Sequence, residues 1–348
     1  MRLLFLPESF TMPSGRFRIW QFVQPLKKLG FDVEVRVIKP DRYWKSNLTG
    51  KTIQTIHNHL GILLRMVNAW RALRDAKKFD VIFLNKDILP ERKIYFLEPW
   101  LAKKNPRLIF DFDDSIHLNK EKKLRKILPY FAWVTAGNEY LAAFARQVNS
   151  QVSIWPTVVD TEFYKPVTER KPGPIRIGWS GSKSTMQKHL PLIEEQIIKL
   201  AQNEEFEFII IAEVPPTINW PGVKWRYIPW TTDTEVTGLQ EIDIGLMPLM
   251  DEPFERGKCG LKAIQYMGVG VPALVSPVGV NRDVVIHGES GFHCTDGNDW
   301  LNYLRIMIHD HELRRRFGQA ARARGENYYS INYLLPKMIE IFNRVASL

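Results

Sequence analysis

The chain has 348 residues, 45% of them hydrophobic, with 11 Trp and 19 Phe; that is enough for two packed cores of ordinary size and excludes general disorder. Its two cysteines, Cys259 and Cys294, exclude a disulfide framework and a cysteine-rich zinc site. The net charge of +10 is one-sided: residues 1–160 hold 27 Lys and Arg against 15 Asp and Glu, and the remainder 21 against 23. An anionic partner for the first half is expected, whether a membrane surface, a nucleic acid or an anionic substrate.

The opening MRLLFLPESF has too short an apolar run for a secretory signal and reads as a first strand. No stretch approaches 18 apolar residues, so no membrane span and a cytoplasmic location are expected. Strands are predicted at 3–6, 33–37, 81–84, 108–112, 133–136 and 152–155, with helices at 17–29, 62–77, 95–103 and 139–146 between them. Alternating strand and helix predicts a doubly wound parallel sheet, whose ligands bind beyond the carboxyl ends of the strands. Residues 156–174, with several prolines, charges and no apolar period, read as a connector between domains.

The alternation then restarts. Strands are predicted at 175–179, 206–212, 225–228, 244–248, 273–275 and 291–294, and helices at 185–202, 235–241, 261–267, 300–309, 312–326 and 331–345. After the first of these strands, Gly178-Trp-Ser-Gly181-Ser182-Lys-Ser-Thr185 offers a small-residue turn able to cradle phosphate, or an ordinary helix cap by Ser182 or Ser184. It matches neither the dinucleotide nor the Walker fingerprint. Residues 254–276, FERGKCGLKAIQYMGVGVPALVS, run from a glycine-containing loop into a short helix. Lys258, Lys262 and Gln265 fall at i, i+4 and i+7, on one expected face. Cations at a helix start oppose the macrodipole, so the placement makes sense if an anion such as a diphosphate sits there; the alternative is a solvated basic loop.

Asp111-Phe-Asp113-Asp114 is an acidic cluster at a strand end, read either as polar chemistry or as a cap of the following segment by Asp111 or Asp114. His117 is a weaker candidate, as are Asn138 and Glu139 at another strand end. Arg16, after Ser14-Gly15, suits anion binding, and Arg18 reads as structural or superficial. The basic residues 63–78 and 119–126 contain a partly amphipathic helix with Leu64, Val67, Trp70 and Ala72 beside Arg65, Arg71, Arg74, Lys77 and Lys78, suited to an anionic membrane surface. No recognition motif accompanies the charge, so nucleic acid is not expected.

In this order and spacing, IRIGWSGS, EIDIGLMPL, GKCGLKAIQYMGVGVPALVSPVGVN and HGESGF resemble the nucleotide-sugar half of glycosyltransferase family 4. SGRFR, LIFDFDDSI, VTAGNEYLA and PTVVDTEFYKP extend the resemblance over essentially the whole chain. It implies an α/β GT-B fold, two Rossmann-like doubly wound parallel-sheet domains facing each other across a cleft. An acceptor-side domain would span 1–160, a linker 161–174 and a nucleotide-sugar domain 175–330, with a helix at 331–348 packing back towards the first domain. The implied reaction is retaining and requires neither metal nor cofactor. It moves a sugar from a nucleoside diphosphate donor, UDP or GDP type, to a glycan or lipid-linked acceptor in cell-surface glycan or glycolipid assembly, with a peripheral position on the inner face of the membrane.

By the same resemblance the diphosphate would meet Lys258, Lys262 and the backbone of Gly257, Cys259, Gly260 and Leu261, together with Gly181 and Ser182. Gly15 and Arg16 would approach from the first domain, and Asp113 would stand where the family often carries a histidine near the transferred sugar. Base and sugar choice would depend on loop residues such as Tyr227 and Trp230. The family carries two glutamates eight positions apart here; this chain has Gln265 at the ribose position and Gly257 at the sugar position, with Glu255 two residues earlier. Two other readings keep the fold: a non-catalytic nucleotide-sugar or glycan-binding partner, and a nucleotide-sugar epimerase.

Overall fold

The computed structural model describes residues 1–10, 12–38, 51–89, 95–168 and 172–348, the side chains of 51–60 and 62 excepted. They divide into two compact units, Met1–Thr157 with Leu334–Leu348, and Val158–Tyr333. In the first unit the strands are β1 (Arg2–Leu6), β2 (Asp32–Val35), β3 (Val81–Asn85), β4 (Leu108–Phe112), β5 (Trp133–Ala136) and β6 (Val152–Ile154). They form one sheet in the order β2-β1-β3-β4-β5-β6, with every neighbouring pair parallel. The runs VIFLN and LIFDF are buried at every position, the pattern of strands covered on both faces. Around the sheet lie α1 (Pro13–Gly15), α2 (Gln21–Lys28), α3 (Lys51–Asp75), α4 (Leu97–Lys104), α5 (His117–Ile127) and α6 (Glu139–Arg146).

Three differences from the sequence expectation bear on function. The helix expected at 17–29 opens with a wide π-type turn, Arg16–Trp20, before α2, and that turn carries Arg18 into the interior. Helix α3 begins at Lys51 instead of 62, and its faces differ from those expected. Arg65, Ala69, Ala72 and Leu73 are buried, while Leu63, Met66, Val67 and Trp70 are exposed. Asn138 caps α6, accepting from the Leu141 N–H at 2.9 Å, so it is committed to the helix start.

The second unit repeats the plan with β7 (Ile175–Gly181), β8 (Phe206–Ala212), β9 (Trp225–Pro229), β10 (Ile244–Met247), β11 (Ala273–Val275) and β12 (Gly291–His293). Their order is β12-β11-β10-β7-β8-β9, again with parallel neighbours. The helix expected at 185–202 is two, α7 (Lys183–His189) and α8 (Glu194–Ala201), because Pro191 has no N–H to continue the ladder and a tight turn at Leu190–Leu192 intervenes. The remaining helices are α9 (Glu235–Gln240), α10 (Pro253–Arg256), α11 (Leu261–Gly268), α12 (Asn281–Val284), α13 (Gly297–His309), α14 (His311–Tyr328) and α15 (Ile331–Ala346). The core beneath them gathers Trp179, Phe208, Ile210, Leu246, Trp300 and Phe317.

In each sheet the strand order reverses once, between β1 and β3 and between β7 and β10. Crevices at such reversals, beyond the strand carboxyl ends, are where open α/β sheets bind ligands. Helix α11 is pinned over the second of them by buried Tyr266, whose hydroxyl accepts from the Ser180 N–H at 3.2 Å and donates to the Leu246 carbonyl at 3.3 Å. The early connector packs on this unit: the Arg322 guanidinium donates to the carbonyls of Thr161, Tyr164 and Gly268. At the other end of the chain, Phe342 of α15 packs against Phe5, Phe83 and Trp155 at centroid distances of 6.0, 6.3 and 6.1 Å, which makes the last helix part of the first core.

Candidate functional site

In the second unit two lysines and a helix start without a side-chain cap meet at the strand reversal. Strand β7 extends through Gly181, and Ser182 then caps α7, accepting from the Thr185 N–H at 3.4 Å. Lys262, in the first turn of α11, lies across this strand end. Its Nζ is 4.6 Å from the centre of the buried Trp179 ring. A Cβ at Gly181 would stand 2.8 Å from Lys262 Cε and 2.6 Å from Trp179 Cη2, so only glycine admits the lysine here. Gly260, at φ +70°, starts α11 without a side-chain cap, which leaves the first-turn N–H groups of Leu261 and Lys262 without that partner.

Lys258 precedes α11 instead of sharing its face, a correction to the expected i, i+4, i+7 row. Its Nζ lies 5.3 Å over the Phe254 ring. Gly257 and Cys259 are buried, so this loop is packed on both sides of the half-buried Lys258. Burial first, and the charge of Lys258 second, push the Lys262 ammonium down to about 7. His189, buried nearby, falls to about 4 through burial and then through Lys258, Lys262 and Lys188. It is therefore neutral at pH 7, and its Nε2, 3.5 Å from Glu255 Oε1, forms no ion pair. Glu255 is itself buried and holds Lys188 at 2.8 Å, shared with Glu252 at 2.8 Å. Lys188 is thus neutralised, whereas the charge of Lys262 meets no carboxylate within ion-pair distance among the described residues.

Gln265 is buried, and its Nε2 donates to Glu235 Oε1 at 3.0 Å and to the Tyr164 hydroxyl at 3.2 Å. Trp230 joins the same carboxylate, its Nε1 donating to Glu235 Oε1 at 3.1 Å, while the Tyr227 hydroxyl donates to the Ala212 carbonyl at 3.1 Å. Sequence reasoning missed Glu235 and Tyr164. An acidic residue in a helix first turn carries no signal of its own, and Tyr164 was read only as part of the connector. A separate cavity of about 260 Å³ lies between α7 and the loop after β8, lined by Lys183, Met186, Leu190, Val214, Ile218 and Trp220 among others. It contains neither Lys258 nor Lys262.

The first unit builds a carboxylate cluster at its own reversal. Asp111, fully buried in β4, takes Arg18 Nε at 3.0 Å and Nη2 at 2.5 Å, Asn85 Nδ2 at 3.0 Å and the Thr135 hydroxyl at 2.7 Å. Asp111 is therefore structural, and Arg18, not Arg16, is its partner. Asp114 lies 3.0 Å from Lys86, and α5 begins after Ile116 with no side-chain cap, so neither aspartate caps that helix. His117 stacks on Phe144 at 4.8 Å in the core. Asp113 accepts from the Ser14 hydroxyl at 2.6 Å and lies 3.7 Å from Lys86 Nζ. Burial raises its carboxyl above the usual range, and Lys86 opposes that. Lys86, also 3.7 Å from Glu8, has φ +64° at the end of β3, a strained conformation for a non-glycine residue. No sequence signal marks it. Gly15 packs where a Cβ would lie 2.3 Å from the Ser9 carbonyl oxygen, and the Arg16 guanidinium lies 5.1 Å over the Phe17 ring.

Comparison with known proteins bears on these geometries. Residues 227–324, a stretch that includes Lys258, Lys262 and Gln265, match the family described as glycosyl transferases group 1. A sulfoquinovosyl transferase from Arabidopsis thaliana is 24% identical over 214 residues, covering 55% of this chain; the chain spans 40% of that relative's length. Among solved structures, a sucrose-phosphate synthase from Thermosynechococcus elongatus superposes with a TM-score of 0.71 at 15% identity, covering 99% of both chains. The Anabaena protein HepE, in complex with UDP and glucose, superposes with a TM-score of 0.63 at 15% identity and covers all of both chains. These likenesses show the GT-B fold, two six-stranded parallel sheets with their helices. Among the described residues no helix is long and apolar enough to cross a membrane.

Proposed function

We propose that this protein transfers a sugar from a nucleoside diphosphate sugar to an acceptor hydroxyl with retention of configuration, in the manner of glycosyltransferase family 4. The observation that carries the reading is Lys262: a desolvated lysine beside a second lysine, at an uncapped helix start, over a glycine that only a close ligand or lysine needs. An arriving diphosphate would restore its proton. As the bond to the sugar breaks, negative charge grows on the diphosphate, and Lys258, the Lys262 ammonium and the first-turn N–H groups of Leu261 and Lys262 would stabilise it. UDP binding by HepE supports a uridine donor, with GDP as the alternative. In the first unit, Asp113, oriented by Ser14 and Lys86, is the group we assign to a sugar or acceptor hydroxyl, and Arg16 to an anionic group of the acceptor side.

Peripheral attachment to an anionic membrane, and a role in cell-surface glycan or glycolipid assembly, belong to the same proposal. Exposed Trp70, Met66 and Leu63 on α3, beside Arg71 and Arg74, support the attachment. One observation favours the non-catalytic alternative: the family's first glutamate position is Gly257, and Glu255 is bound to Lys188 instead of facing a ligand. Incubation of the purified chain with UDP- and GDP-sugars and candidate acceptors decides the matter. Release of nucleoside diphosphate with transfer or hydrolysis of the sugar supports the proposal. Binding without turnover supports the alternative, and isomerised donor alone supports an epimerase.

A further inference from the structure

We infer that Glu235 is a positioning residue that makes the neutral Gln265 behave as a carboxylate towards the ligand; this rests on the nucleoside diphosphate reading above. The hydrogen-bond donors and acceptors of this buried network can be assigned one by one. An ionised carboxylate can only accept hydrogen bonds, and a Gln amide has two donors at one end and an acceptor at the other. Glu235 Oε2 lies 2.7 Å from the Tyr164 hydroxyl, which must therefore donate to it. Glu235 Oε1 receives the Trp230 indole N–H at 3.1 Å and one N–H of Gln265 at 3.0 Å. Tyr164, having given its only proton, accepts the second N–H of Gln265 at 3.2 Å.

Every proton at this end of Gln265 is thereby assigned. The reversed amide would set its oxygen about 3 Å from a carboxylate oxygen inside the protein, where such repulsion is poorly screened. Glu235, Gln265 and Tyr164 are all at most 4% exposed, so water does not offer an easy substitute partner. The amide oxygen of Gln265 is consequently turned away from Glu235, and among the described residues no donor reaches it. What Gln265 offers a ligand is an acceptor only, the chemistry that a ribose diol requires from a carboxylate. A glutamate at both positions would oppose two carboxyl groups across the same 3.0 Å contact.

The test is a titration of UDP and GDP, each against its 2′-deoxy counterpart, with inorganic pyrophosphate as the control for the phosphate end. For whichever base binds, the unmodified chain is expected to prefer the ribonucleotide by about tenfold or more. Glu235→Gln should reduce that preference to about threefold or less while pyrophosphate affinity holds, because a freed amide presents donor and acceptor alike. The double substitution Glu235→Gln with Gln265→Glu should restore it, since the carboxylate and amide exchange places. A preference that survives in Glu235→Gln, or pyrophosphate affinity that falls in parallel, overturns the inference. If neither nucleotide binds the unmodified chain, the functional proposal fails, and ligand-free melting temperatures still judge the pairing. Gln265→Glu must then lower the melting temperature alone and lower it less in the Glu235→Gln background; equal shifts overturn the inference independently.

Discussion

Lys262 gives the most quantitative prediction. Its ammonium titrates at about 7 in the ligand-free protein, against about 10.4 for a free lysine, because burial and Lys258 both disfavour the charge. A bound diphosphate reverses the balance and raises the value. Binding therefore takes up a proton wherever the free lysine is neutral. At pH 8 most ligand-free molecules lack that proton, so binding should take up a large part of one proton. Affinity should be nearly flat below pH 7 and fall about tenfold, or 1.4 kcal/mol, per unit above it. Calorimetric titration of a nucleoside diphosphate between pH 7 and 9, in two buffers of different ionisation enthalpy, reads both quantities while the terminal phosphate stays ionised. Lys262→Arg, which cannot lose its proton, should remove the slope. An affinity independent of pH over this range, with no proton uptake, would refute the argument.

The same group predicts a stability effect of definite sign. Between about 7 and about 10.4 the unfolded chain holds more protons at this position than the folded one, so ligand-free stability should rise with pH across that window, and Lys262→Met should remove the rise while raising the melting temperature at pH 7. Gly181→Ala places a methyl 2.8 Å from Lys262 Cε and 2.6 Å from Trp179; displacement of the lysine should cost diphosphate affinity about tenfold or more in the same titration. Asp111→Ala leaves Arg18 buried without its carboxylate and should lower stability by about 3–5 kcal/mol in chemical denaturation, whereas substituting exposed Glu139 should change it little. Asp113→Asn should lower transfer about a hundredfold while nucleotide affinity stays unchanged, since this carboxylate belongs to the other unit's cluster.

The sheets were legible because parallel strands read as continuous apolar runs, and FEFIIIA and LIFDF fell at 206–212 and 108–112 as expected. The proposed phosphate end stands out for a similar local reason: lysines next to a helix start conflict with the dipole, and that conflict is visible in one dimension. What stayed hidden depends on partners far apart in the chain. The structural role of Asp111 was hidden because Arg18 is 93 residues away, and the network that orients Gln265 was hidden because Tyr164 is 101 residues from it. Lys86 was invisible because a positive φ on lysine has no residue-type signature. The break at Pro191 was readable and was overridden by the apolar period on either side of it.

The central claim is that the loop and helix start around Lys258 and Lys262 hold the diphosphate of a nucleotide. Melting temperatures over a panel of nucleoside diphosphates, their sugars and the bare nucleosides test it most directly, on the unmodified chain and on Lys258→Ala with Lys262→Met. One base as its diphosphate should stabilise the unmodified chain, by about 2.7 kcal/mol at a hundred times its dissociation constant, with no effect from the nucleoside and none on the double variant. No stabilisation by any nucleoside diphosphate, or equal stabilisation of the double variant, would contradict it.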